Sequence, residues 1–301
     1  MRGKTSFPIG RGMGYFYVFC AGVLWGLLGP VSRVALDAGL GPLEIAFWRA
    51  AIAAGLFAAH AGLRRRVRVA RRDLPAVAGF GLVGVAFLYG AYFMAVREGG
   101  AALASVLLYT APMWVAVLAW LFLHERMGAR KLAALALAFA GVAGIALGSG
   151  DGGVRITPAA LAWGLASGGA YALYYLFGKR YFARYDASTL FLYALPVGAL
   201  AMLPFVDFAP KTPESWAALA FVAAVPTYGS YLLYGAGLKR IEATRAATVA
   251  TVEPVVAAVA AYFAWGERWS PSGYLFAGLV LAGVLLMVSE REPGAPHPEH
   301  P

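Results

Sequence analysis

The chain has 301 residues, 61% hydrophobic and only 13% charged, against roughly 25% charged in an ordinary soluble domain, and its mean hydropathy is +0.68. A water-soluble fold has no means of hiding that much apolar surface, which excludes soluble enzymes and soluble binding modules. The net charge of +10 would suggest nucleic acid in a soluble protein, but the basic residues crowd into short segments between apolar runs, the pattern of cytoplasmic loops.

A basic stretch holding Arg2, Lys4 and Arg11 precedes the first apolar run, at about residues 14 to 33, which is longer than the apolar part of a signal peptide and is read as retained. Cys20, the single cysteine, lies inside it, so neither an intramolecular disulfide nor a thiol-based metal cluster is available. Further apolar runs follow at about 42 to 63, 74 to 96, 101 to 123, 131 to 148, 158 to 178, 187 to 206, 215 to 238, 243 to 265 and 272 to 289. Each suffices to cross a hydrocarbon layer of about 30 Å. Strand-like alternation is absent, and Gly and Ala are abundant, as where membrane helices approach closely. The predicted fold class is all-α integral membrane, with ten transmembrane helices. The loop GSGDGG after the fifth run lacks a following Lys-Ser/Thr and is no Walker motif. The tail 290–301, EREPGAPHPEHP, carries Pro and charge without apolar content and is predicted to be disordered.

Lys and Arg fall unevenly on alternate sides of these spans. One side collects 18: three before the first span, six between Arg64 and Arg72, Arg126, Arg130 and Lys131, Lys179, Arg180 and Arg184, Lys239 and Arg240, and Arg291. The other has 5, namely Arg33, Arg97, Arg155, Lys211 and Arg268. That bias predicts both termini in the cytoplasm. Arg49 and Arg245 remain inside spans, the latter read as snorkelling near the inner face.

The chain repeats itself. YTAPMWVAVLAWLFLHERMGARK returns as TVEPVVAAVAAYFAWGERWSPSG, and a shift of 142 superposes Pro112 on Pro254, Glu125 on Glu267, Gly141 on Gly283, Tyr89 on Tyr231 and Tyr92 on Tyr234. A slightly different offset matches Trp25-Gly26 with Trp163-Gly164. Five spans per half is an odd number, so the second copy enters the membrane from the opposite side. The predicted organisation is a first repeat over 1–148, an inverted second repeat over 149–289, and the tail. Loop charges agree: RRRVRVARRD after span two corresponds to DFAPKTPE after span seven.

Two five-helix halves, Pro112 with His124-Glu125-Arg126, Pro254 with Gly266-Glu267-Arg268, the early Trp-Gly pairs and LEIAFWRAAIA around Trp48 and Arg49 resemble the drug/metabolite transporter superfamily, and within it the EamA-type exporters. The similarity covers about residues 14 to 289, and its motifs name no substrate. It implies export of amino acids, aromatic or otherwise apolar, or of other small metabolites and amphipathic cations, across a bacterial inner membrane. Within that family the chain resembles the ten-helix bacterial aromatic amino acid and methyl viologen exporters.

Inverted-repeat transporters place substrate near the midplane between halves, and aromatic or ionisable residues at that depth are the candidates. In span six Trp163, Ser167, Tyr171 and Tyr174 share one face about 80° wide. Tyr89, Tyr92, Tyr109, Tyr228 and Tyr231, with Trp25, lie at comparable depths. An aromatic pocket would stack on a flat substrate and attract an ammonium group; the alternative is packing, with each hydroxyl bonded to nearby backbone. Glu253 lies mid-span beside Pro254, which frees a backbone carbonyl. At 1.5 Å per residue its depth differs from that of Arg49 by about 5 Å, so an ion pair between them is open. Glu253 is read as contacting a substrate amine, carrying a coupling proton, or pairing with Arg49. Pro112 and Pro254 are candidate hinges, while Glu44, His60 and Glu98 are read as interfacial.

The expected partners are a small-molecule substrate and the lipid bilayer, with no nucleic acid, cofactor or metal; a homodimer stays open. A membrane enzyme acting on a lipid or lipid-linked substrate is the competing function. No HExxH or Ser-His-Asp set supports it, and the four histidines are scattered at 60, 124, 297 and 300.

Overall fold

In the computed structural model, which describes residues 9–148, 155–266 and 271–289, every regular element is helical. Ten rods follow in chain order: α1 (Gly12–Asp37), α2 (Pro42–Leu63), α3 (Leu74–Gly99), α4 (Leu103–Leu123), α5 (Ala129–Leu147), α6 (Pro158–Tyr181), α7 (Ala187–Phe205), α8 (Pro213–Leu238), α9 (Ala243–Ala264) and α10 (Pro271–Ser289). All but α6 are long and apolar enough to cross a membrane. The 24 residues of α6 suffice in length, but Ser167, the glycines beside it and three tyrosines dilute its middle. Glu267, Arg268, the loop residues 149–154, Arg2, Lys4 and the tail 290–301 lie outside the described residues.

Local chemistry sets the helix ends. Proline, whose missing N–H costs nothing in a first turn, opens α2, α6, α8 and α10. Thr157 and Thr212 cap α6 and α8, each hydroxyl accepting an N–H from Ala160 at 3.0 Å or Ser215 at 3.2 Å. His124 (φ 56°) and Gly266 (φ 69°), 142 residues apart, end α4 and α9 in the left-handed conformation.

The two central prolines act at a definite place. A proline in a helix leaves the carbonyl four residues earlier without its donor and clashes with it. The first helical piece of α4 accordingly stops at Leu108, four before Pro112, and that of α9 at Ala250, four before Pro254. Both rods resume after a two-residue break, at Ala111 and Glu253. The freed carbonyls face glycines: a Cβ on Gly168 would lie 3.3 Å from the Leu108 oxygen, and one on Gly22 3.4 Å from that of Ala250. A wider π-type turn interrupts α3 at Gly81–Phe87 and α8 at Ala224–Gly229.

Helix packing follows one scheme twice. α3 lies on α6 as α8 lies on α1, α4 on α6 as α9 on α1, and α3 on α7 as α8 on α2, while α5 runs along α10 and α2 along α7. Gly22 meets Ala250 and Val252 where Gly168 meets Leu108 and Thr110. These contacts relate α1 to α6 by an offset of 146, which makes Tyr171 the counterpart of Trp25 and corrects the match of Trp25 with Trp163. α5 and α10 approach closely. A Cβ on Gly141 would sit 2.6 Å from both the Phe276 oxygen and the Val280 nitrogen, and one on Gly283 2.7 Å from the Ala134 oxygen. Because the obstacles are backbone, Gly141→Ala must push the helices apart, at an expected cost of about 1–3 kcal/mol. Thermal unfolding in detergent reads this directly against Gly278→Ala, whose Cβ meets nothing within 4 Å. Equal midpoints for the two variants would contradict the packing.

Candidate functional site: a central cavity closed at one end

A cavity of about 500 Å³ lies where α1, α2, α3 and α4 meet α6, α8 and α9. Its wall includes Leu36 at the end of α1, Pro42 at the start of α2, Val96 near the end of α3 and Ala101 just before α4, so it reaches the face that carries the α1–α2 and α3–α4 connections. Among the described residues, no wall residue comes from the segments at the other face.

Two layers close that other end. The first is aromatic: Trp25 and Tyr234 have ring centroids 5.5 Å apart, Tyr231 stacks on Phe191 at 4.4 Å, and the Tyr174 hydroxyl donates to that of Tyr231 at 2.6 Å. The Tyr234 hydroxyl donates to the Tyr174 carbonyl at 2.9 Å. The second layer is polar. The carboxylate of Glu125, on the α4–α5 turn, accepts the N–H groups of Ala243 at 2.7 Å and Thr244 at 3.2 Å, so it caps the first turn of α9 where the helix dipole favours an anion. Beside it one oxygen of Glu242 takes both Lys131 Nζ and Arg245 Nε at 2.7 Å. Arg245 also donates to the Tyr15 hydroxyl at 2.9 Å and the Met287 carbonyl at 3.1 Å. Burial pushes the Glu242 carboxyl up, yet Lys131 and Arg245 together hold it below the usual carboxylate value. The cluster ties α1, α5, α9 and α10 to one point.

Within the cavity Arg49 and Glu253 are the charged residues on the wall. The Arg49 guanidinium carbon lies 4.3 Å from the Tyr89 ring centroid, a cation–π contact, and its Nε has no hydrogen-bond partner. Glu253 opens the second piece of α9, where Gly26 lets α1 approach so closely that a Cβ there would lie 2.8 Å from the Glu253 carbonyl. The Tyr109 ring lies on the same wall. The Tyr92 and Ser105 hydroxyls bond to each other at 3.1 Å.

A family model described as "EamA-like transporter family" matches residues 12–147 and again 158–289. The chain belongs to the EamA-like transporter family. This transporter is similar to an uncharacterized transporter of Archaeoglobus fulgidus, 30% identical over 274 residues, which cover 89% of this chain and 95% of that one. It is 29% identical over 274 residues to a protein of Streptantibioticus cattleyicolor named "Probable terminal-alkyne amino-acid exporter", covering 88% and 90% of the two chains. A solved crystal structure at 19% identity superposes with a TM-score of 0.81 over 92% of this chain and 96% of its own, a likeness of fold. The EamA-like protein is thus a multi-pass membrane transporter, and the membrane-enzyme alternative falls with the family assignment.

In this EamA-like transporter the structure gathers eight of the candidate residues, Trp25, Tyr89, Tyr92, Tyr109, Tyr171, Tyr174, Tyr231 and Glu253, on one wall together with Arg49. Three others stand outside it. Ser167 is fully buried and donates to the Gly164 carbonyl at 2.7 Å; Trp163 is half-buried on the same helix, two turns from Tyr171. Tyr228 turns to α2, where its hydroxyl bonds His60 Nδ1 at 2.8 Å and its ring lies 4.8 Å from that of Phe57. Arg49 and Glu253 share the wall without forming a contact ion pair. Arg245 does not snorkel: it is 2% exposed and satisfied inside the cluster. Glu44, in the first turn of α2, is buried against Lys211 at 2.5 Å. The sequence reading had no role for Glu242 or for Glu125 beyond its motif; the Glu125 partner lies 118 residues away, so no local pattern could reveal it.

Proposed function

We propose that this protein is a secondary exporter of amino acids with aromatic or other apolar side chains, working by alternating access between two inverted five-helix halves. It resides in the cytoplasmic membrane with both termini in the cytoplasm, where the basic loops collect. The observation that carries the reading is the cavity between the halves, which reaches one face and is shut from the other by an aromatic and a polar layer. In this orientation the cavity is open to the outside. Support comes from aromatic rings suited to a flat apolar side chain, a carboxylate suited to an ammonium group, and a relative named as an amino-acid exporter. The doubled packing scheme and the matching π-turns and helix breaks support inverted halves.

Counterflow of labelled L-phenylalanine into liposomes loaded with the unlabelled amino acid tests the function. Exchange without chemical conversion is expected; a chemically altered solute, or none exchanged, overturns it. The topology has its own test in a Cys20→Ser background. Arg64→Cys should be blocked by a membrane-impermeant thiol reagent only from the inside, and Asp207→Cys only from the outside. Labelling of both from one side would refute inverted halves.

A further inference from the structure

We infer that Arg49 is the anchor for a substrate carboxylate, so that the cavity takes a dipolar α-amino acid with its carboxylate on Arg49 and its ammonium group on Glu253, and discriminates against solutes lacking either charge. This rests on the reading of the cavity as an amino-acid site.

The case begins with a donor that has no acceptor. Arg49 is 6% exposed, on the apolar middle of α2, and a guanidinium there carries five N–H donors and accepts nothing. Its buried Nε meets no partner, and the contact the structure gives the group is the Tyr89 ring at 4.3 Å. A ring face attracts the cation without accepting the N–H groups, which lie in the guanidinium plane. Buried polar groups in folded proteins are as a rule hydrogen-bonded, so an orphan at a cavity wall points to something that enters the cavity. The acceptor that matches a planar fork of donors is a carboxylate or a phosphate.

The second charge chooses between them. Glu253 is the other charged residue on the wall of the same cavity of about 500 Å³. A phosphate group would meet one cation and be repelled by Glu253, with no second cation or glycine-rich loop to receive it. A zwitterion meets complementary charge at both ends. The two side chains also do not neutralise each other: Arg49 is seated over Tyr89, and no ion pair joins it to Glu253. Opposite charges held apart in a low-dielectric cavity suit a dipolar ion, and the apolar remainder of the wall is left for the side chain.

The experiment is competition against labelled L-phenylalanine counterflow in liposomes, using unlabelled L-phenylalanine, phenethylamine, which lacks the carboxylate, and 3-phenylpropionate, which lacks the ammonium group. Wild type should favour L-phenylalanine at least tenfold over either analogue. In Arg49→Gln, L-phenylalanine should fall to the level of phenethylamine, and Arg49→Lys should restore part of the preference because it keeps the charge but not the fork. Should the Arg49 variants fail to fold, the wild-type ranking alone decides: phenethylamine competing as well as L-phenylalanine overturns the anchor. Phenylalanine exchange with undiminished preference in Arg49→Gln overturns the anchor and leaves the exporter reading standing. Absence of phenylalanine exchange by folded wild-type protein removes that reading, and the anchor with it.

Discussion

Counterflow of L-phenylalanine by Glu253→Gln is expected to drop to a tenth of wild type or less, with little loss of folded protein. Gln keeps the length of the side chain and its hydrogen-bonding capacity but removes the charge. A hydrogen bond to a charged group is worth about 1.5–3 kcal/mol, and each 1.4 kcal/mol is tenfold in affinity, so losing the charge-assisted contact to an ammonium group costs roughly ten- to a hundredfold. Folding should survive because no ion pair in the described structure depends on Glu253. Its position at the start of the second piece of α9 also gives the carboxylate the favourable end of a helix dipole. Glu253→Asp, which retains the charge but shortens the reach, should fall between the two. If Glu253→Gln exchanges as fast as wild type from pH 5 to pH 8, the carboxylate neither binds the amine nor carries a proton.

The largest effect on stability is expected from Glu242→Gln. The side chains of Lys131 and Arg245 are 4% and 3% exposed, and both point at one Glu242 oxygen. Removing the carboxylate takes away the anion that two buried cations share, and breaking a buried pair in this way costs about 3–5 kcal/mol. Lys131→Met should be milder, since Glu242 then keeps Arg245. The same carboxyl predicts a pH dependence. Its folded-state value is depressed below the unfolded one, so its contribution is complete above the ordinary carboxyl value of about 4.3 and is lost as the pH falls through the depressed value. Unfolding midpoints between pH 3 and pH 7 should therefore decline toward acid in wild type and decline less in Glu242→Gln. A variant with the wild-type midpoint and the wild-type pH slope would show that the cluster does not hold the closed face.

The polar cluster and the cavity are two ends of one arrangement. Glu125, Lys131 and Glu242 join the α4–α5 turn to the start of α9, and Glu253 begins the second piece of the same helix ten residues later. In the proposed alternating access, opening of the closed face would separate Glu125 from the Ala243 and Thr244 N–H groups and Lys131 from Glu242. The break at Thr251 and Val252 lies between that contact and the cavity.

Much of this was legible without coordinates. The spans follow from the cost of placing polar backbone and charge in hydrocarbon, which leaves long apolar runs no other fate. The breaks in α4 and α9 follow from proline chemistry at Pro112 and Pro254. Side-chain direction was less accessible. Tyr228 and Tyr231 lie at comparable depths, but Tyr228 falls inside the wider turn at Ala224–Gly229 and faces His60, whereas Tyr231 follows that turn and faces the cavity. Trp163 and Ser167 share a face with Tyr171 and Tyr174, but Leu107 packs against Gly164 at their level and the cavity does not extend there.

By itself the sequence determined the membrane class, the apolar spans other than α6, the helix breaks and the family, because desolvation and proline geometry act within a single helix. Only the tertiary structure decided that Arg49 stays unpaired over Tyr89, that Glu125 caps α9, and that Glu242 gathers Lys131 and Arg245. Those outcomes depend on which helices become neighbours and at what height. Such pairings join residues far apart in the chain, and they depend on close backbone approaches at glycines such as Gly22, Gly26 and Gly168, where a Cβ would lie 3.4, 2.8 and 2.7 Å from a neighbouring carbonyl oxygen, which a one-dimensional pattern does not record.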